Sequence, residues 1–169
     1  MSTAGSKTDF GRQMVRGYEI GRRMVASLVE DFSDEEAQKR VNALKPLVWY
    51  LAHIVVSEST LLDLYFDQRP TVSGEFMDRF GRGSDGSGDF SDMQVAEMRT
   101  LLDGTRERMR AALGTMTSDD TERTPAREIE HPAFGTLGVA AALISHHNAY
   151  HAGQIALIRT ALGKDRKFG

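Results

Sequence analysis

Five histidines are the residues most able to do chemistry in this chain of 169, which has no cysteine. Two of them, His147 and His151, are four apart in the string HNAYH. On a helix that spacing leaves an angular offset of about 40° and an axial step of about 6 Å, so both imidazoles can lean toward one point. A third, His53, sits in LVWYLAHIVV, the most apolar stretch of the chain. A lone imidazole buried there costs on the order of 1–3 kcal/mol, so it needs a hydrogen bond or a metal ion. Three neutral imidazoles from two facing helices make a nitrogen set suited to zinc or nickel, with iron or manganese also compatible. Such a set leaves coordination positions open for water or substrate. Without cysteine there is no thiolate ligand, disulfide or cysteine nucleophile, so nitrogen and oxygen must hold any metal.

The remaining histidines stand apart. His146 is rotated from His151 by about 140° and reads as a packing residue or one that supports a ligand from behind. His131 belongs to EIEH, which imitates the Glu-x-x-His motif of di-iron bundles. Those sites need two such motifs on helices, and this one is followed at once by Pro132. An H-x-x-x-H pair also arises by chance; His53 on a second core-lining helix is what argues for a metal.

These residues need long helices to position them. Phe10, Met14, Tyr18, Val25 and Leu28, with Gly21 on the same face, predict an amphipathic helix from about Thr8 to Glu30. Ser33 and Glu36 form a capping-box pattern before a short turn over Asp34 to Asn42. Leu47, Leu51, Ile54, Leu61 and Tyr65 stripe a second main helix from about Pro46 to Phe66. The glycine-rich string GRGSDGSGD marks Arg69 to Ser91 as a long flexible loop. Ser91 and Gln94 suggest another capping box before a third helix with Val95, Met98, Leu102, Met109 and Met116 inward, ending near Thr117. A polar loop with Pro125 and Pro132 then leads to a fourth helix from about Thr136 to Gly163. In it Leu137, Ile144, His151 and Ile158 recur every seven residues, with Ala141, Asn148, Ile155 and Leu162 between them. No tract alternates like a strand. The expectation is one all-α domain over residues 1–169, a four-helix bundle with a long loop between helices two and three, and disorder over 1–7.

Bulk properties narrow the partners. The net charge is −3, with 21 Lys and Arg scattered among 24 acids, which lacks the concentrated positive field nucleic acid requires. The run from Leu47 to Val56 is about half of the roughly 20 residues a bilayer crossing needs, so no membrane partner is expected. Met1 to Lys7 has no apolar signal stretch, which makes the cytoplasm the default location.

HNAYHAGQIALIRTALG, from His147 to Gly163, resembles the closing motif of the DinB-like superfamily, which also includes the YfiT-like bundles. Its His-x-x-x-His-x-Gly-Gln pattern is matched by His147, His151, Gly153 and Gln154. WYLAHIVVSE is similar to the family's second-helix motif, with Trp49, His53 and Glu58 in the corresponding places, and HPAFGTLG resembles the segment that leads into the last helix. The resemblance implies a four-helix bundle, a three-histidine metal site, frequent homodimers, and in some members thiol-dependent transfer with low-molecular-weight thiols. Ala152 departs from the family, in which arginine is common there.

Around that site Gln154 could orient a ligand or a water, or serve packing, while Trp49 and Gly153 are further neighbours. A helix-interior glycine costs about 0.5–1 kcal/mol, which suggests a close approach at Gly153. Glu58 is either a solvated helix residue or a candidate catalytic base, and Gln154 is the other catalytic candidate. The functional expectation is a metal-dependent enzyme of thiol S-transferase or hydrolase type acting on a small molecule. The alternative is a non-catalytic, metal-stabilised stress-response binding or assembly protein. Metal affinity should fall as pH drops through the histidine range.

Overall fold

The computed structural model describes residues 7–127, 129 and 134–168. Within them the chain is all-α, with six helices and no strand: α1 Lys7–Val29, α2 Asp34–Gln38, α3 Leu47–Phe66, α4 Gly74–Phe80, α5 Val95–Gly114 and α6 Leu137–Ala161. A 3-10 turn at Ser118–Glu122 interrupts the polar segment read as a plain loop. Apart from Lys7, which opens α1, the stretch 1–7 lies outside the described residues, and so does His131.

The four long helices close a ring in which α1 packs on α6 and α5, and α3 packs on the same two. Their apolar stripes turn inward as the spacing predicts, with Tyr18, Leu28, Leu51, Ile54, Met109, Ile155 and Ile158 all buried. By length and composition α3 could cross a membrane, yet 78% of that stretch is buried inside the protein, so it is the core helix. At Gly21 a Cβ would stand 2.9 Å from Asn148 Cβ and 3.1 Å from the Ala149 nitrogen, so the glycine lets α1 lie directly on α6.

Two apolar clusters fill the interior, one around Trp49, Val55, Phe80 and Ile155, the other around Tyr18, Leu61, Met109 and Ile144. Between them runs a layer of buried polar side chains, one level on each long helix: Arg22, Glu58, Thr105 and Asn148. Such groups cost free energy unless they are paired, and they pin the register of the helices they link.

Three local expectations change. The segment Arg69 to Ser91 is not all loop, because Ser73 caps α4 by accepting from the Phe76 nitrogen at 3.1 Å, and α4 buries Phe80 against α3. Ser91 does not cap α5; its hydroxyl donates to Asp89 at 2.9 Å. The start of α5 is tied instead across the fold, where the Val95 nitrogen donates to Asp34 Oδ1 at 2.7 Å. The short helix α2 ends at Gln38 rather than Asn42, though its Ser33–Glu36 capping box is present.

Candidate metal centre

Helix α3 carries Trp49 and His53 one turn apart, and α6 carries His147 and His151 one turn apart. Packing of α6 on α3 brings the three imidazoles together. His147 Nε2 lies 3.1 Å from His53 Nε2 and 3.0 Å from His151 Nε2. The far nitrogens of the outer two rings are taken: His53 Nδ1 donates to the Phe80 carbonyl at 2.6 Å, and His151 Nδ1 donates to Gln154 Oε1 at 2.6 Å. A carbonyl oxygen only accepts, so each of these neutral rings carries its proton on Nδ1 and turns an Nε2 lone pair toward His147. One proton on His147 Nε2 could bridge to one of them, not to both.

The pocket also refuses protons. Burial, together with nearby Lys45, lowers His53, partly offset by the Phe80 carbonyl. Burial and then the two neighbouring rings push His147 down to about 3. Burial likewise brings His151 to about 4, against the opposing effect of Gln154. All three rings are therefore neutral near pH 7, the form in which an imidazole can ligate.

This donor set fits a divalent cation. The three candidate nitrogen ligands lie within 4.8 Å of one another. An ion about 2.0–2.1 Å from two nitrogens roughly 3 Å apart subtends about 95°, between the octahedral and tetrahedral angles. A cation at that point would relieve the lone-pair repulsion and meet the ring nitrogens in the protonation state they already have.

Among the other residues singled out, Trp49 stacks on His53 with ring centroids 4.6 Å apart and planes 13° from parallel. Trp49 Nε1 donates to Ser84 Oγ at 3.1 Å, and Lys45 Nζ stands 3.5 Å over the indole. Gln154 backs His151 and donates to the Tyr150 hydroxyl at 3.3 Å. Gly153 is exposed, and a Cβ there would meet nothing within 4 Å, so no close approach among the described residues accounts for it. His146 is exposed as well, and among the described residues it bonds only back to the Ala142 carbonyl of its own helix at 2.8 Å. Glu58 is not a solvated residue. It is fully buried, outside the cavity that borders the rings, and its Oε1 accepts from Tyr18 Oη at 2.9 Å and Asn148 Nδ2 at 3.1 Å.

Two neighbours of the rings are not legible in the sequence. Phe80 supplies a backbone carbonyl, and the readable signal was Ser73 capping a turn with Phe76, Met77 and Phe80 on one side. The heptad spacing marks Asn148 as an inward position, and nothing in it reveals the bond to Glu58 ninety residues away.

A cavity of about 550 Å3 opens beside the rings, bordered by His53, His147 and His151 at one side. Its wall is chiefly hydrocarbon, from Val56, Leu61, Met77, Leu143 and Ile144, and the exposed pair Asp78 and Arg82 stands at its margin. That volume and lining suit a small organic molecule with an apolar body.

No curated protein matches the chain. The family model of the DinB superfamily covers residues 18–155, a span that includes His53, Glu58, His147, His151 and Gln154. With most of the chain inside that match, the protein belongs to the DinB superfamily.

Proposed function

We propose that this protein is a metal-dependent enzyme of thiol S-transferase or hydrolase type, built on a DinB-type four-helix bundle, with His53, His147 and His151 as the ligands of one zinc or nickel ion. The observation that carries the reading is the convergence of three Nε2 atoms, two of them with lone pairs fixed inward by Phe80 and Gln154. A divalent cation held by that set would supply Lewis acidity, which lowers the pKa of a thiol or a water toward neutrality.

The chain's own residues do the rest. Phe80 and Gln154 orient the outer rings, and Trp49 keeps His53 from turning. The apolar wall of Val56, Leu61, Met77 and Leu143 excludes water and holds the hydrocarbon part of a small substrate beside the rings. Among the described residues no fourth Cys, Asp, Glu or His joins the cluster, which favours an open catalytic position over a closed structural one. A homodimer located in the cytoplasm completes the reading; the exposed Val139, Tyr150 and Leu157 on α6 support the pairing of two copies.

The test combines metal analysis of the protein as isolated with assays of thiol and electrophile pairs, and of hydrolysable esters, under zinc, nickel or manganese. One ion per chain and turnover abolished by His151→Ala are expected. Equal rates with and without His151 would overturn the proposal. Stabilisation by the ion with no turnover on any pair would favour the non-catalytic alternative.

A further inference from the structure

Each outer ring of the histidine cluster has its Nδ1 proton accepted by an oxygen, but His147 does not. Its Nδ1 is buried with no hydrogen-bond partner among the described residues. A ligating imidazole almost always donates its other N–H to an oxygen, because that bond fixes the tautomer and the ring plane. The adjacent residue carries the complement: Asn148 Oδ1 is also buried and also lacks a donor. Asn148 is fully buried, so the amide has little freedom to find another partner.

The amide is held from behind. Asn148 Nδ2 donates to Glu58 Oε1 at 3.1 Å, which sends Oδ1 away from the carboxylate. Glu58 is in turn fixed by Tyr18 Oη at 2.9 Å and by Arg22 Nε at 3.4 Å, and Arg22 reaches on to the Leu102 carbonyl. A carboxylate can only accept, so this arrangement decides which end of the Asn148 amide is nitrogen.

We propose that Asn148 and Glu58 are positioning residues for the metal: Asn148 Oδ1 accepts the Nδ1 proton of His147 when its Nε2 ligates, and Glu58 acts on the ion only through Asn148. The inference rests on the three-histidine reading. It assigns to the polar layer a task beyond helix register, namely supplying the third orienting oxygen.

The experiment measures zinc affinity by competition with a chromophoric chelator and records 15N-edited spectra of the histidine rings in the zinc-loaded protein. In the wild type the His147 Nδ1 proton is expected to be visible, slowly exchanging and hydrogen-bonded. Asn148→Leu should weaken zinc about 10–100-fold. Glu58→Gln keeps an oxygen for Asn148 Nδ2 and should stay within about threefold of wild type. A merely structural network predicts the reverse order, since Glu58→Gln removes the charge that faces buried Arg22. Unchanged zinc affinity in Asn148→Leu, or a wild-type His147 Nδ1 proton that is not hydrogen-bonded, would overturn the inference while leaving the metal site standing. A wild-type protein that binds no cation would sink both. Should Asn148→Leu fail to fold, the wild-type ring spectrum still decides.

Discussion

The indole of Trp49 lies flat on the ring of His53, 4.6 Å between centroids and 13° from parallel. Because Trp49 is the chain's single tryptophan, its emission is a direct report on the candidate centre. Titration with nickel or cobalt should quench that emission to an end point at one ion per chain, and His147→Ala should abolish the saturable part. Quenching that persists unchanged in the variant would place the ion elsewhere.

Protonation of the rings gives a second prediction. His147 and His151 have folded values of about 3 and 4 against 6.5 for the free side chain, so folding favours their neutral forms. The unfolded chain then binds more protons than the folded one below about pH 6.5, and stability rises with pH in that window. The metal-free protein should be fully stable with respect to these groups above that value. It should lose stability progressively as pH falls through the folded values, read as a declining urea midpoint. Replacing His147 with Gln should flatten the upper part of the decline.

The same shifts move the metal's pH dependence. Ordinary histidines predict a loss of affinity near pH 6.5, but burial delays proton competition in the folded protein. Zinc affinity should change little between about pH 7 and 6, and fall steeply only as the folded values are approached. A tenfold loss already at pH 6 would show that the rings are more solvated than their packing implies.

The long helices and the histidine set were legible because periodicity is local: His147 and His151 share a turn, and His53 stood out by its apolar surroundings. What escaped was non-local or backbone-borne. The Phe80 carbonyl that orients His53 belongs to no side chain, and α4 was hidden by the glycine-rich string that follows it. The burial of Glu58 is not legible, because a carboxylate in a helix is usually exposed and this one is enclosed by Tyr18, Arg22 and Asn148 arriving from two other helices.

The cavity wall offers a separation of binding from ligation. Leu143 borders the cavity but is not among the clustered ligands. Leu143→Trp should fill the space and raise KM for any apolar substrate about tenfold or more, with zinc affinity unchanged. Equal loss of zinc and substrate would mean that the cavity and the centre cannot be treated apart.

Two helical glycines should respond oppositely to alanine. At Gly21 the added carbon meets Asn148 Cβ at 2.9 Å and the Ala149 nitrogen at 3.1 Å, atoms of a helix body that cannot rotate away. Gly21→Ala should therefore cost about 1–3 kcal/mol by forcing α1 off α6, and it should disturb Asn148 behind His147 as well. At Gly153 the added carbon meets nothing within 4 Å among the described residues, so the gain in helix propensity is unopposed by them. Gly153→Ala should stabilise the isolated chain by about 0.5–1 kcal/mol in urea denaturation. If Gly153→Ala instead destabilises the chain at working concentration but not on dilution, the open space over that glycine is filled by a second copy, and its conformational cost has its reason there.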